Sequence, residues 1–373
     1  MHILQCYKTA RPLTMGGAEQ VIHHISQGLI EKGHQATVLA FAPQKKPEVL
    51  NYEGYQVVVV PATREIASMP ISLKSFPYYK KLCHQADVIH YHYPFPWMDF
   101  VHLICPHQKQ SVLTYHSDII KQKKLLKLYQ PLQKYFLNQV SSIVSTSPNY
   151  HGGSETLQKF SSKLSTIPLG LDEGLYKRPN DAILGKWKER LPKRFLLFIG
   201  VFRYYKGLNF LFEAMQGLDY PLVLIGDGPE KQELLMLQKK YHLKNIIFLG
   251  RLNDEDKIAV LTHCAGLVLP SHLRSEAFGL SLVEGAMFGK PLISCEIGTG
   301  TSFINQNHQT GWVVEPANSQ SLKQALCAWH QDEVLAKEYG NNARIRYENL
   351  FQARNMVESY LKLYQSVFNQ KKL

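Results

Sequence analysis

Two carboxylates, Glu276 and Glu284, frame the stretch Ser275-Glu276-Ala277-Phe278-Gly279-Leu280-Ser281-Leu282-Val283-Glu284. The preceding Gly266-Leu267-Val268-Leu269-Pro270 reads as a strand and the residues after Gly279 as a helix. That order sets the backbone N–H groups of Phe278, Gly279 and Leu280 at a helix start. Such a terminus has unpaired donors and about half a positive charge, which suits a phosphate. The flanking carboxylates would repel that phosphate, so hydroxyls on a sugar and a ribose are their better partners. The stretch by itself suggests a nucleotide-sugar site; the alternative is a buried loop with two solvated acids.

Further groups fall at the same kind of position, just after an apolar strand. Phe195-Leu196-Leu197-Phe198-Ile199-Gly200 is followed by Val201-Phe202-Arg203-Tyr204-Tyr205-Lys206-Gly207. Arg203 and Lys206 there can grip a diphosphate, the first bidentate and the second as a point charge. Each cation about 4 Å from a phosphate oxygen gains on the order of 4 kcal/mol at an effective dielectric near 20. Such neutralisation can stand in for a metal at a leaving diphosphate. Gly226-Asp227-Gly228-Pro229-Glu230 makes a tight turn, and Phe248-Leu249-Gly250-Arg251 ends another strand. The latter can approach a base or the phosphates. Cys295-Glu296-Ile297-Gly298-Thr299-Gly300-Thr301-Ser302 reads as a pliable polar loop. Earlier in the chain, Gly16-Gly17 precedes a helix and Thr114-Tyr115-His116-Ser117-Asp118 ends a strand. A histidine so placed can hydrogen-bond a sugar hydroxyl or meet developing charge on a leaving group. His90-Tyr91-His92 could chelate, but with no third ligand in view it reads as strand-end packing.

These positions require a scaffold of strands whose carboxyl ends share an edge. Short apolar strands at 2–6, 36–41, 56–60, 87–91, 111–115, 142–146 and 164–167 alternate with amphipathic helices, the pattern of a covered parallel sheet. A second alternation begins at Phe195. The expected fold class is α/β, with two doubly wound Rossmann-like domains. Pro168 to Asp172 ends the first, and the polar residues up to Lys193 read as a linker. The glycine pair is not GxGxxG, so no dinucleotide fingerprint is present. Helices are expected near 318–331, 333–347 and 350–368, the last with an apolar stripe of Tyr360, Leu361, Leu363, Tyr364 and Val367.

The segment 119–140 is the most basic. On a helix, Lys123, Lys124, Lys127 and Lys134 share one face, and Leu125, Leu128, Leu132, Tyr135 and Phe136 another. Pro131 is expected to kink or divide it. The lysine face suits anionic lipid headgroups, or water alone. A chain of 373 residues with net charge +12 has room for two domains and favours anionic partners. The cysteines, Cys6, Cys83, Cys105, Cys264, Cys295 and Cys327, form no CxxC pair, which favours free thiols in a reducing compartment. No signal peptide or membrane span is visible. A cytoplasmic protein, peripheral at the inner face of the membrane, is expected.

Taken together, Gly16-Gly17, His116, Pro168-Leu169-Gly170-Leu171-Asp172, Arg203 with Lys206-Gly207, Gly226-Asp227-Gly228-Pro229 and Glu276…Glu284 resemble the retaining, metal-independent GT-B glycosyltransferases of family four. The likeness runs along nearly the whole chain. It implies Rossmann-like domains facing across a cleft. The acceptor domain would be 1–172 with a returning helix at about 350–373, and the donor domain 173–349. It also implies that Arg203 and Lys206 hold the diphosphate, Glu276 the hexose hydroxyls, the 278–280 backbone a phosphate and Glu284 the ribose. Gly16 and Gly17 would line the phosphate pocket, His116 would sit beside the transferred sugar, and Gly200 and Arg251 would complete the donor-binding set. Arg203 and Lys206 are closer together than in many relatives. Phe-Arg-Tyr-Tyr-Lys-Gly with Ser294–Thr301 is similar to bacterial O-antigen mannosyl- and rhamnosyltransferases, implying a GDP-sugar donor, a lipid-linked glycan acceptor, and no metal or cofactor. The rival readings are a nucleotide-sugar epimerase on the same fold and a non-catalytic basic membrane-binding protein. Nucleic-acid binding lacks any recognition module.

Overall fold

The computed structural model describes residues 1–66, 69–119 and 123–370, and the side chains of Lys123, Lys124 and Leu125 lie outside what is described. The chain forms two compact units, Met1–Gly170 with Ala353–Leu373, and Leu171–Gln352. The division falls before Leu171 rather than after Asp172. Leu171 donates its N–H to Phe351 O and pairs with Gln352, which ties it into the second unit.

In the first unit one sheet has the strand order Leu164–Thr166, Ser142–Ser145, Gln110–Tyr115, Val88–Tyr93, His2–Cys6, Gln35–Ala42, Tyr55–Pro61, Glu48–Tyr52. All pairings are parallel except that of the last strand, an antiparallel edge that the sequence pattern misses. The central strands are apolar on both faces because helices cover both, and Val38, Val57, Val88 and Ile89 are fully buried. The chain order reverses between His2–Cys6 and Val88–Tyr93, and a doubly wound sheet opens its binding crevice at the carboxyl ends beside such a reversal. The terminal helix Ala353–Gln370 packs on this unit. Its Tyr360 and Tyr364 are buried, with hydroxyls 2.7 Å from Thr114 Oγ1 and His90 Nδ1.

The helix Lys123–Gln139 differs from its periodic reading. It runs through Pro131 without division. Phe136 and Leu137 are buried, but Leu128 is 82% exposed and Tyr135 41%. Polar groups take the expected apolar places: Tyr129 donates to Asp99, and Gln133 donates to Tyr93 at 2.7 Å. A buried polar side chain with a partner costs little, so hydrophobicity alone does not find this face.

The second unit carries a six-stranded parallel sheet in the order Ile246–Gly250, Leu222–Ile225, Leu196–Ile199, Gly266–Leu269, Leu292–Cys295, Gly311–Val314. Its reversal lies between Leu196–Ile199 and Gly266–Leu269. The segment expected as a linker instead contains the helix Asp181–Arg190, whose Trp187 is buried and donates to Asp256 at 2.6 Å. All six cysteines are free.

Candidate active site

The loops leaving the two strands at the second unit's reversal are those that bear Arg203, Lys206 and Glu276. Lys206 Nζ donates to Glu276 Oε2 at 2.5 Å, and Ser271 Oγ donates to the same oxygen at 3.1 Å. Both charged side chains are 11% exposed. Residues 70 positions apart are thus joined in a partly dry ion pair, stronger than a surface pair because little water screens it. Arg203 is exposed at the start of the short 3-10 turn Tyr204–Lys206.

Glycine geometry sets this loop. Gly207 has φ +68°, and a Cβ there would lie 2.1 Å from Pro270 O. The loop therefore presses directly against the end of the neighbouring strand. The turn at Gly226–Gly228 supports it from the other side: Phe202 N–H donates to Asp227 O at 3.0 Å, and Glu230 N–H donates to Phe202 O at 3.2 Å. Its structural part is therefore to hold the cationic loop. Gly200 ends its strand with its N–H on Ile225 O. Arg251 is exposed beyond the strand Ile246–Gly250, near enough to Asp227 for its charge to help keep that carboxyl acidic, after the Gly228 N–H that does most.

Gly279 adopts φ +95° and caps the helix Leu280–Met287, with Phe278 buried behind it. The left-handed turn aims the chain into the helix, and Leu282 N–H closes back on Gly279 O. Glu284 faces inward from the first turns of this helix. Its Oε1 accepts from Tyr176 Oη at 2.7 Å and from Lys257 Nζ at 3.1 Å. Burial lowers the Lys257 pKa, but Glu284 and Asp254 outweigh it and hold the ammonium above its usual value. Lys257 also lies 5.1 Å from the Tyr176 ring centre. Tyr176 and Lys257 escaped sequence reasoning: one sits in the supposed linker, and the other is one lysine among many on a helix. The loop 295–302 is held rather than pliable. Glu296 Oε1 accepts from Gly298 N–H at 2.9 Å and Ser302 Oγ at 2.8 Å, and Arg274 donates to Gly298 O.

In the first unit, Gly16 caps the helix Gly17–Glu31, and the buried Glu19 accepts from Thr14 at 2.9 Å. His116 follows the strand Gln110–Tyr115 and donates its N–H to Tyr93 O. Its ring stacks on His92 at 5.2 Å, with 2.9 Å between His116 Nε2 and His92 Nδ1. Burial and the nearby Lys8 ammonium bring the His116 pKa down to about 4, so the imidazole is neutral at neutral pH. His90 is fully buried between Thr114 and Tyr364, a packing role. Among the described residues no three His, Cys, Asp or Glu side chains gather as metal ligands.

Comparisons with known sequences and structures identify the family. Residues 180–346 match the family described as "Glycosyl transferases group 1", and residues 15–175 match "Glycosyltransferase Family 4". The chain is 45% identical over 371 residues to O-antigen chain mannosyltransferase C of Escherichia coli, covering all of both chains. It is 46% identical to D-rhamnosyltransferase WbpZ of Pseudomonas aeruginosa, covering 95% of this chain and 93% of that one. Among solved structures, sucrose-phosphate synthase from Thermosynechococcus elongatus superposes with a TM-score of 0.82 at 20% identity over 99% of each chain. The chain belongs to the group 1 glycosyltransferases, with a family 4 N-terminal half and the GT-B fold, and is a hexosyltransferase.

Proposed function

We propose that this protein transfers a hexose, mannose or a deoxyhexose, from a GDP-linked donor to a lipid-linked glycan in O-antigen synthesis, with retention of the donor's anomeric configuration. The observation that carries the reading is the Lys206–Glu276 pair at the sheet's reversal, beside a glycine-capped helix start. The two full-length relatives named for mannosyl and rhamnosyl transfer support the sugar class.

The chemistry follows from the residues. Arg203, Lys206 and the N–H groups at 278–280 hold the donor's diphosphate, while Glu276 uses its free oxygen on the hexose hydroxyls. Glu284, fixed by Tyr176 and Lys257, takes the ribose. Gly16 and Gly17 are assigned to the phosphate, His116 to the transferred sugar, and Gly200 and Arg251 to the donor. When the bond from C1 to the phosphate oxygen breaks, its electron pair passes to the diphosphate, where the two cations neutralise it. The acceptor hydroxyl attacks C1 on the same face, and its proton goes to the departing phosphate. No metal or cofactor is required by this scheme. A binding screen of GDP- and UDP-sugars tests the donor: GDP-mannose or a GDP-deoxyhexose should bind tightest, and preference for a UDP-sugar would overturn the base assignment.

The helix Lys123–Gln139 is the proposed lipid contact. Its exposed Leu128 and Tyr135 lie among Lys127 and Lys134, and the helix Pro96–Ile104 that packs on it ends in exposed Leu103 and Ile104. Exposed apolar side chains beside lysines suit an anionic bilayer surface. No described helix is long and apolar enough to cross a membrane. The protein should float with vesicles containing anionic lipid, and Lys127→Glu with Lys134→Glu should abolish it. Equal flotation of that variant would remove the helix from the account.

A further inference from the structure

His116 stands at the end of a chain of hydrogen bonds with a defined direction. It starts at Ile22 O, a carbonyl that can only accept. Ser26 Oγ donates to it at 2.9 Å, and Gln5 Nε2 donates to it at 3.2 Å and to Ser26 Oγ at 2.7 Å. The Gln5 amide nitrogen is therefore turned toward the helix Gly17–Glu31, and its Oε1 toward His92. That oxygen is an acceptor 2.9 Å from His92 Nε2, so this nitrogen must carry the proton. His92 is 1% exposed, and burial together with the neighbouring histidines holds it neutral. Its Nδ1 is then a bare acceptor facing His116 Nε2 at 2.9 Å. His116 must donate from Nε2, which leaves Nδ1 with a lone pair. Among the described residues none hydrogen-bonds that atom.

We propose that Gln5 and His92 are positioning residues that fix His116 as the Nε2–H tautomer, so that its Nδ1 accepts from a sugar hydroxyl and turns away anionic oxygen. The inference rests on the assignment of His116 to the transferred sugar. It adds Gln5, which no motif marks, and gives His92 a part beyond strand-end packing; the two lie in the first and fourth of the strands expected from sequence. The order of the sheet makes them neighbours: Gln5 stands in register with His90, one strand from the strand that precedes His116. An acceptor nitrogen is matched by a hydroxyl and mismatched by a phosphate or carboxylate oxygen. The chain thus contributes to telling a sugar from the diphosphate attached to it.

The test is a long-range proton–nitrogen correlation spectrum of the histidine-labelled protein at neutral pH without ligand. His116 should show protonated Nε2 and bare Nδ1, and His92→Leu should blur that pattern into exchanging tautomers. His92→Asn, whose Oδ1 can take the Nδ1 place, should restore it. Turnover should follow, with kcat/KM down roughly tenfold in His92→Leu and mostly recovered in His92→Asn. A wild-type spectrum with Nδ1–H on His116, or an unchanged pattern in His92→Leu, would overturn the positioning role. If His92→Leu does not fold, the wild-type spectrum decides. Wild-type turnover by His116→Ala would instead overturn the underlying assignment to the sugar, whichever tautomer the spectrum shows.

Discussion

The ion pair of Lys206 with Glu276 changes what each residue can do before a donor arrives. Neither charge waits unpaired, and in the proposed scheme a diphosphate draws Lys206 toward itself while Glu276 turns to hydroxyls. Both residues were legible in the sequence, but their mutual contact was not, because it depends on which strands adjoin. Glu284 shows the same limit more sharply. Its position was marked by the motif, yet its supports, Tyr176 and Lys257, come from a segment read as a linker and from a helix without a signature. Tyr176→Phe removes one of two donors on Glu284 while keeping the ring over Lys257. The donor KM should rise about fivefold with kcat nearly unchanged, as for a lost interaction of ~1 kcal/mol made equally in ground and transition states. Steady-state kinetics in the donor concentration would check this.

At the scale of elements, the seven strands expected in the first half all occur, and the missed edge strand Glu48–Tyr52 has none of the dense apolar patterning that marks a buried strand. The helix Lys123–Gln139 was legible as a helix but not in its orientation. Hydrophobic periodicity cannot know that Tyr129 finds Asp99 or that Gln133 finds Tyr93. Asp99 itself is buried, and loss of hydration lifts its pKa to about 8, against a smaller opposing effect of the Tyr129 hydroxyl. The folded state thus keeps a proton that the unfolded chain releases near the ordinary carboxylate value of 3.8. Its stabilising contribution is full below that value and is lost as pH rises through about 8. Between pH ~5 and ~7 the Asp99 proton should contribute a fall of roughly 1.4 kcal/mol per pH unit to the urea-unfolding free energy of the first unit, superposed on the opposite contribution of the histidines. Asp99→Asn should remove that contribution; a slope equal to wild type would contradict the assignment.

Over the whole molecule, histidines whose pKa is lowered by lost hydration are distributed unevenly. His24, His90, His92, His102 and His116 all lie in the first unit, each with its pKa lowered by burial, to about 3 for His24 and His90 and about 4 for His102 and His116. Unfolding lets each take a proton at its ordinary 6.5. Their contribution is therefore present above 6.5 and lost as pH falls toward 4 and below, at up to ~1.4 kcal/mol per pH unit for each. Among the described histidines of the second unit, only His272 has its pKa lowered, by burial. Limited proteolysis at pH 5 should cut within residues 1–170 well before 171–352, with the order lost at pH 7.5. Simultaneous cleavage at pH 5 would show that the two units unfold together. The two-unit architecture and its motif order were legible because strand, loop and helix recur with little interruption. The directed chain through Gln5 and His92 was not, since it depends on strands brought side by side by crossovers.

The most direct test of glycosyl transfer is product analysis with GDP-mannose and a lipid-linked glycan, run with wild type and Lys206→Ala side by side. The predicted result is an elongated glycan whose new linkage keeps the donor's anomeric configuration. Lys206→Ala should be slower by roughly 10²–10³-fold while remaining folded, as for loss of a charge that neutralises the leaving group. An inverted linkage, release of an altered free sugar without elongation, or wild-type turnover by Lys206→Ala would contradict the account.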